Sequence, residues 1–152
     1  GLACVLVSEA SAQLLTRKDL SAAMAFTIAQ TTIATCTANG YAVSVTVVGR
    51  NGEPILQVRG DGTGPHTMEN SLKKAFTART FRIPSGEMED RLKKNPQMGA
   101  QYLTGFTTGR GALPISVGND VIGAVGASGA PGGDKDEVCV KAGIDKIKDR
   151  LK

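Results

Sequence analysis

The sequence predicts an α+β domain, an antiparallel β-sheet with flanking helices, in the order helix, two strands, two helices, two strands, helix. Three observations predict it. Residues 41–59 and 112–128 each read as a β-hairpin, two Val- and Ile-rich runs around a glycine-containing turn. Apolar residues at helical spacing stand before, between and after these hairpins. The 152-residue chain is 41% hydrophobic yet has two Tyr, four Phe and no Trp, so one domain with an aliphatic core is expected. Such a chain most simply lays its terminal helices on one face of the sheet.

The first twelve residues stand apart. Leu2-Ala3-Cys4-Val5-Leu6-Val7 is a short apolar run, and Ala10-Ser11-Ala12 has the small-x-small form of a signal-peptidase site. The run is too short to span a membrane. Residues 1–12 therefore read as the remnant of an export signal or as an ordinary flexible N-terminus, with a single domain over 13–152. Export would leave Cys36 and Cys139 as an even pair suited to a periplasmic or secreted protein. In a cytoplasmic protein the same two residues would be small buried thiols.

The first helix is expected from about residue 17 to 38. Thr16-Arg17-Lys18-Asp19 reads as its capping box and Leu15 with Leu20 as the staple. Leu20, Met24, Ile28, Thr31 and Thr35 recur at helical spacing, and Asn39-Gly40 supplies the stop. In the first hairpin, 41–48 and 54–59 flank the turn Arg50-Asn51-Gly52-Glu53. A second helix is expected from His66 or Thr67 to about Phe81, with Met68, Leu72, Ala75 and Phe76 on its apolar face. His66, Asn70, Lys73 and Thr77 share a polar stripe. Pro84 ends that helix, and Ser85-Gly86-Glu87-Met88 opens a short one through Lys94. Residues 97–110, weakly patterned and glycine-rich, read as a lid or partner surface. The second hairpin turns at Gly118-Asn119-Asp120. A glycine-rich turn at 129–133 then leads to the last helix, with Asp134 and Glu137 as a cap pair and Val140, Ile144, Ile147 and Leu151 on one face.

Several function classes are disfavoured. The net charge is +4, but Lys and Arg are interleaved with acids and no stacking aromatics accompany them, so nucleic acid is not the expected partner. No C-x-x-C, C-x-x-C-H or Cys/His spacing occurs, which excludes covalent c-type haem attachment and a structural zinc site. Gly123, Gly126, Gly129 and Gly132 recur every third residue without forming a dinucleotide or P-loop fingerprint, and read as tight strand packing and a helix-entry turn. Ser128 lacks the final glycine of a nucleophile elbow.

His66 is the chain's only histidine and sits where a glycine-rich turn, 60–64, opens a helix. Free amide donors and an imidazole at that place make it the first candidate for chemistry, against the plainer reading of an exposed turn residue. Met68 lies two residues on, about 200° around the helix, and reads as packing rather than a second ligand.

An ordered set of motifs carries more. Val47-Val48 leading to Arg50-Asn51-Gly52, Arg59-x-Asp61-Gly62, Lys74-Ala75-Phe76-Thr77-Ala78, Leu113-Pro114-Ile115, the run 121–129 and Asp134-x-Asp136-Glu137 resemble the GlcG/HbpS family. That family includes the C-terminal domain of PduO-type proteins, and the resemblance covers about residues 17–150. It implies a PAS- or profilin-like fold, assembly into homo-oligomers from dimer to octamer, and noncovalent b-type haem as cofactor, with haem degradation in several members. On that reading His66 is the candidate ligand of the haem iron, and Arg59 or Lys73 the partner of a propionate. The scarcity of aromatics favours a shallow or inter-subunit haem site. The alternative is a cofactor-independent lyase or isomerase, or an accessory protein, acting on a small carboxylate in a catabolic pathway, with His66 as general base beside Lys73 and Arg59 in the enzyme case.

Overall fold

The computed structural model describes residues 13–152. The apolar run 2–7, the small-x-small stretch and Cys4 lie outside the described residues. Alternation along the first strand sets the layers. Val43, Val45 and Val47 are apolar and join one core, whereas Ser44 and Thr46 put hydroxyls on the opposite face.

The elements are α1 (Ala22–Ala38), β1 (Ser44–Val48), β2 (Pro54–Val58), α2 (Thr67–Phe81), α3 (Ser85–Lys94), β3 (Ala112–Val117), β4 (Asp120–Ser128) and α4 (Gly133–Ile147). Short 3₁₀ turns occupy Gly99–Tyr102 and Lys148–Arg150. The expected order is borne out. The sheet is antiparallel throughout, in the order β2-β1-β4-β3.

Helices α1 and α4 pack together on one face, as expected, over a core that includes Ile28, Val45, Val125, Val140 and Ile147. A Cβ on Gly143 would lie 2.7 Å from the Ile28 carbonyl oxygen, so these two helices touch backbone to backbone. Cys36 at the end of α1 and Cys139 near the start of α4 form a disulfide, their Cα atoms 5.4 Å apart. The antiparallel pairing of the two helices brings those ends together.

Helix α2 covers the other face and lies unusually close to it. A Cβ on Gly126 of β4 would come within 2.5 Å of the Ser71 carbonyl oxygen. Only small side chains and hydroxyls fit such a gap. The buried stripe of α2 is therefore Thr67, Ser71, Ala75 and Ala78 rather than the expected Met68, Leu72, Ala75 and Phe76; Thr77 is also buried, as is Lys74, whose side chain runs to the Ala127 carbonyl and Asp136. Met68 and Leu72 are half-buried.

Local corrections follow the same logic. Helix α1 begins at Ala22, where the Ser21 Oγ accepts the Met24 N–H at 3.2 Å; the Thr16 capping box does not form. The chain ahead of Ser21 is not helical: Leu20 reaches the sheet at Gly123, the Lys18 carbonyl accepts from Arg50 Nε, and Leu15 stays exposed. The buried face of α1 is Ala25, Ile28, Ala29, Thr32 and Cys36, so of the expected helical stripe Ile28 lies on it while Met24, Thr31 and Thr35 do not. At α4 the Asp134–Glu137 cap is absent. Gly132, at φ +132°, precedes the helix, and the Asp136 Oδ1 accepts the Ala130 N–H at 3.0 Å. Ser85 likewise does not cap α3, because its Oγ accepts the Ala112 N–H. The 97–110 segment is held to α2 by Phe106, which packs on Phe76 and Phe81 with ring centroids 5.3 Å apart, and by the Thr107 N–H bond to Thr77 Oγ1. Among the described residues no helix is long and apolar enough to cross a membrane.

Candidate functional site

The glycine turn ahead of α2 is fixed from below by hydroxyls. Ser44 Oγ, on β1, lies 3.1 Å from Thr63 Oγ1 and 2.8 Å from Thr67 Oγ1. Thr63 donates to the Gly60 carbonyl at 2.8 Å and Thr67 to the Gly64 carbonyl at 2.7 Å. These bonds pair the buried Ser44 and Thr67 hydroxyls and tie the turn to β1. They hold His66, the residue preceding α2, at a defined height above the sheet end.

His66 is exposed and its side chain makes no capping bond. Its Nδ1–Cε1 edge rests against Gly64, where a Cβ would lie 3.0 Å from both atoms. Nε2 and Cδ2 form the edge away from that contact.

The imidazole borders a cleft of about 600 Å³. Its walls come from the start of α2, the turn before β1, the end of β4 and the glycine-rich turn entering α4. Asn70 Nδ2 donates to Ser128 Oγ at 2.9 Å on one side, and Tyr41 is the sole aromatic of the lining. Lys74 and Asp136 also line it. The Lys74 Nζ lies 2.9 Å from Asp136 Oδ2 and donates to the Ala127 carbonyl at 3.0 Å. Among the described residues these are the one buried lysine and the one buried carboxylate.

Burial pushes the Asp136 carboxyl above its ordinary range, although Lys74 and the Ala130 N–H pull the other way. Glu137, one residue on, is also raised by burial, with Arg110 opposing. Its Oε2 is buried without a hydrogen-bond partner, 4.0 Å from Arg110 Nη1.

The other expected site residues are placed differently. Arg59 is exposed at the same turn as His66, its Nη1 donating to the Gly64 carbonyl at 3.4 Å, but it does not line the cleft. Lys73 is outside the cleft and pairs with Glu69 at 2.6 Å along the helix surface. Its neighbour Lys74 is the lysine that reaches the site. Lys74 and Asp136 belong to the motifs Lys74-Ala75-Phe76-Thr77-Ala78 and Asp134-x-Asp136-Glu137, whose spacing does not reveal that the two meet. The signal for Lys74 was its position on a stripe of small residues, Thr67, Ser71 and Ala78, which marks a face pressed against the sheet. A second cleft, of about 540 Å³ beside Met88, Leu92 and Phe106, contains none of the expected site residues.

Comparison with known proteins adds the family. Residues 20–145 match the model of the HbpS-like haem-degrading proteins. A double mutant of HbpS from Streptomyces reticuli is 30% identical, with a TM-score of 0.85 over 96% of this chain and 99% of that one. Protein ORFY of Klebsiella pneumoniae is 25% identical, with a TM-score of 0.82 over 90% and 95% of the two chains. A PduOC–haem complex shares the fold at 19% identity, with a TM-score of 0.77 over 84% and 94%. A search of curated proteins returned no match.

Proposed function

Because the chain belongs to the HbpS-like family of haem-degrading proteins, we propose that it binds haem noncovalently and that His66 would ligate the iron. The observation that carries this reading is that the chain's only imidazole is exposed and borders a cleft, with Nε2 on the ring edge away from its Gly64 contact. The residues fit a shallow b-type site better than a closed pocket. Tyr41 alone offers a ring, while glycines, hydroxyls and the Lys74–Asp136 pair make up much of the remaining wall. Arg59, exposed beside the His66 turn, is the cation placed to meet a propionate. Lys73 serves less well, because Glu69 already holds it.

Bound haem would supply a redox-active iron. The chain contributes an imidazole nitrogen donor, a turn that fixes its position and a polar cleft beside it. Storage, transfer, sensing and degradation all begin with that binding step.

Two further readings accompany it. Export to the periplasm or the medium is supported by the Cys36–Cys139 bridge, which persists outside the reducing cytoplasm. Even-numbered homo-oligomers are supported by exposed apolar side chains, Phe26, Tyr102, Leu103 and Val138, and by an apolar groove of about 380 Å³ along α1 and β2. Titration of the purified protein with hemin tests the central reading. A saturable Soret shift is expected, and a spectrum identical to free hemin would defeat it.

A further inference from the structure

A lysine and a carboxylate buried together need not face a cavity, and this pair does. Lys74 Nζ spends one donor on the Ala127 carbonyl and one on Asp136, and an ammonium has three. The pair compensates its own charge. Apart from Tyr41 and the His66 imidazole, the polar side chains that the cleft adds, Thr63, Thr67, Asn70 and Ser128, are uncharged hydroxyls and an amide. Such a lining gives a small anion little net attraction and suits an uncharged, hydroxyl-bearing molecule.

We propose that the cleft takes a small hydroxylated aldehyde or ketone and that Lys74 condenses with its carbonyl carbon to form an imine. Asp136, 2.9 Å away, is the proton carrier. It takes one proton from the Lys74 ammonium, and the freed lone pair on Nζ forms the C–N bond while the carbonyl π electrons move to oxygen. That oxygen recovers the proton from Asp136. Asp136 then takes a second proton from Nζ and delivers it to the departing hydroxyl, which leaves as water while the nitrogen lone pair forms C=N. Ammonium plus carbonyl gives protonated imine plus water, so no oxidant, reductant or metal enters the balance. A carboxyl whose affinity for protons is raised by burial suits this shuttle. The reaction is independent of haem and of His66.

The test is reductive trapping on haem-free protein. The chain is incubated with glycolaldehyde and cyanoborohydride, and the modified lysines are mapped by peptide mass spectrometry over time. Lys74 is expected to be modified first, with saturable dependence on glycolaldehyde, on the order of tenfold faster than any exposed lysine because the carboxylate and the cleft preorganise the step. Lys74→Arg, which keeps the cation, is expected to abolish the fast phase while exposed lysines react as before. Modification confined to exposed lysines, with the Lys74 peptide untouched in the wild-type protein, would overturn the proposal without reference to any variant.

Discussion

Lys74 on α2 and Asp136 on α4 meet at 2.9 Å across the end of β4, and both side chains are about 95% removed from solvent or more, at 5% and 3% relative exposure. Removing one partner leaves the other charge buried and unpaired. Lys74→Met or Asp136→Asn is therefore expected to lower the unfolding free energy by about 3–5 kcal/mol, and the apolar double replacement Lys74→Met/Asp136→Leu by clearly less. Urea unfolding of the three variants checks this. Equal losses in the single and double variants would contradict it.

The same carboxyl gives a pH dependence of definite sign. A carboxyl raised in the folded state binds more protons there than in the unfolded chain, so its contribution to stability falls as pH rises from the ordinary carboxylate range to the folded value. Glu137 acts in the same direction. Asp120, held low by its hydrogen bond to Arg50, acts oppositely and loses its contribution as pH falls through its depressed folded value. Between about pH 4 and 7, a plot of unfolding free energy against pH should slope upward more steeply for Asp136→Asn than for wild type. Parallel curves would rule out a raised Asp136.

The bridge between Cys36 and Cys139 closes a loop with a sequence separation of 103. In the chain-entropy model such a loop contributes at most about 4–5 kcal/mol. Cys36→Ser/Cys139→Ser, or reduction of the unfolded wild type, is expected to lower stability toward that figure. Thiol titration of the denatured, unreduced chain lacking Cys4 should find no free thiol; two would refute the bridge and weaken the case for export.

Assembly is tested by light scattering across micromolar concentrations. An even multiple of the monomer mass is expected. A monomer throughout would leave Phe26 and the α1 groove as unpartnered surface and defeat the oligomer reading.

Where side-chain period and turn chemistry decide, the sequence was readable. The hairpin turns at Gly52 and Gly118, both at positive φ, and the helices ending at Asn39 and before Pro84 were all legible. Cys36 and Cys139 were legible as an even pair, and the packing of α1 against α4 on one face is what brings them together. What the sequence concealed was distance between layers. The gap over Gly126 depends on how closely α2 approaches β4, and only that closeness turns Thr67, Ser71 and Lys74 inward. Spacing alone made Met68 and Phe76 look like the buried face. In the site, His66 was visible because it is unique, whereas Lys74 and Asp136 are 62 residues apart and meet only through tertiary packing. Residues 17–20 look like the start of the first helix because Thr16 and Asp19 imitate a cap, while Leu20 gains more by reaching the sheet.

The most direct measurement is parallel hemin titration of wild type, His66→Ala and Gly64→Ala, with affinity and Soret position recorded for each. Loss of the imidazole is expected to weaken binding on the order of a hundredfold or more and to shift the Soret band, as removal of an axial ligand should. A Cβ at Gly64, 3.0 Å from the ring, should displace His66 and give an intermediate effect while leaving the fold intact. If His66→Ala binds hemin with the affinity and Soret position of wild type, His66 is not the ligand and the proposed site is wrong.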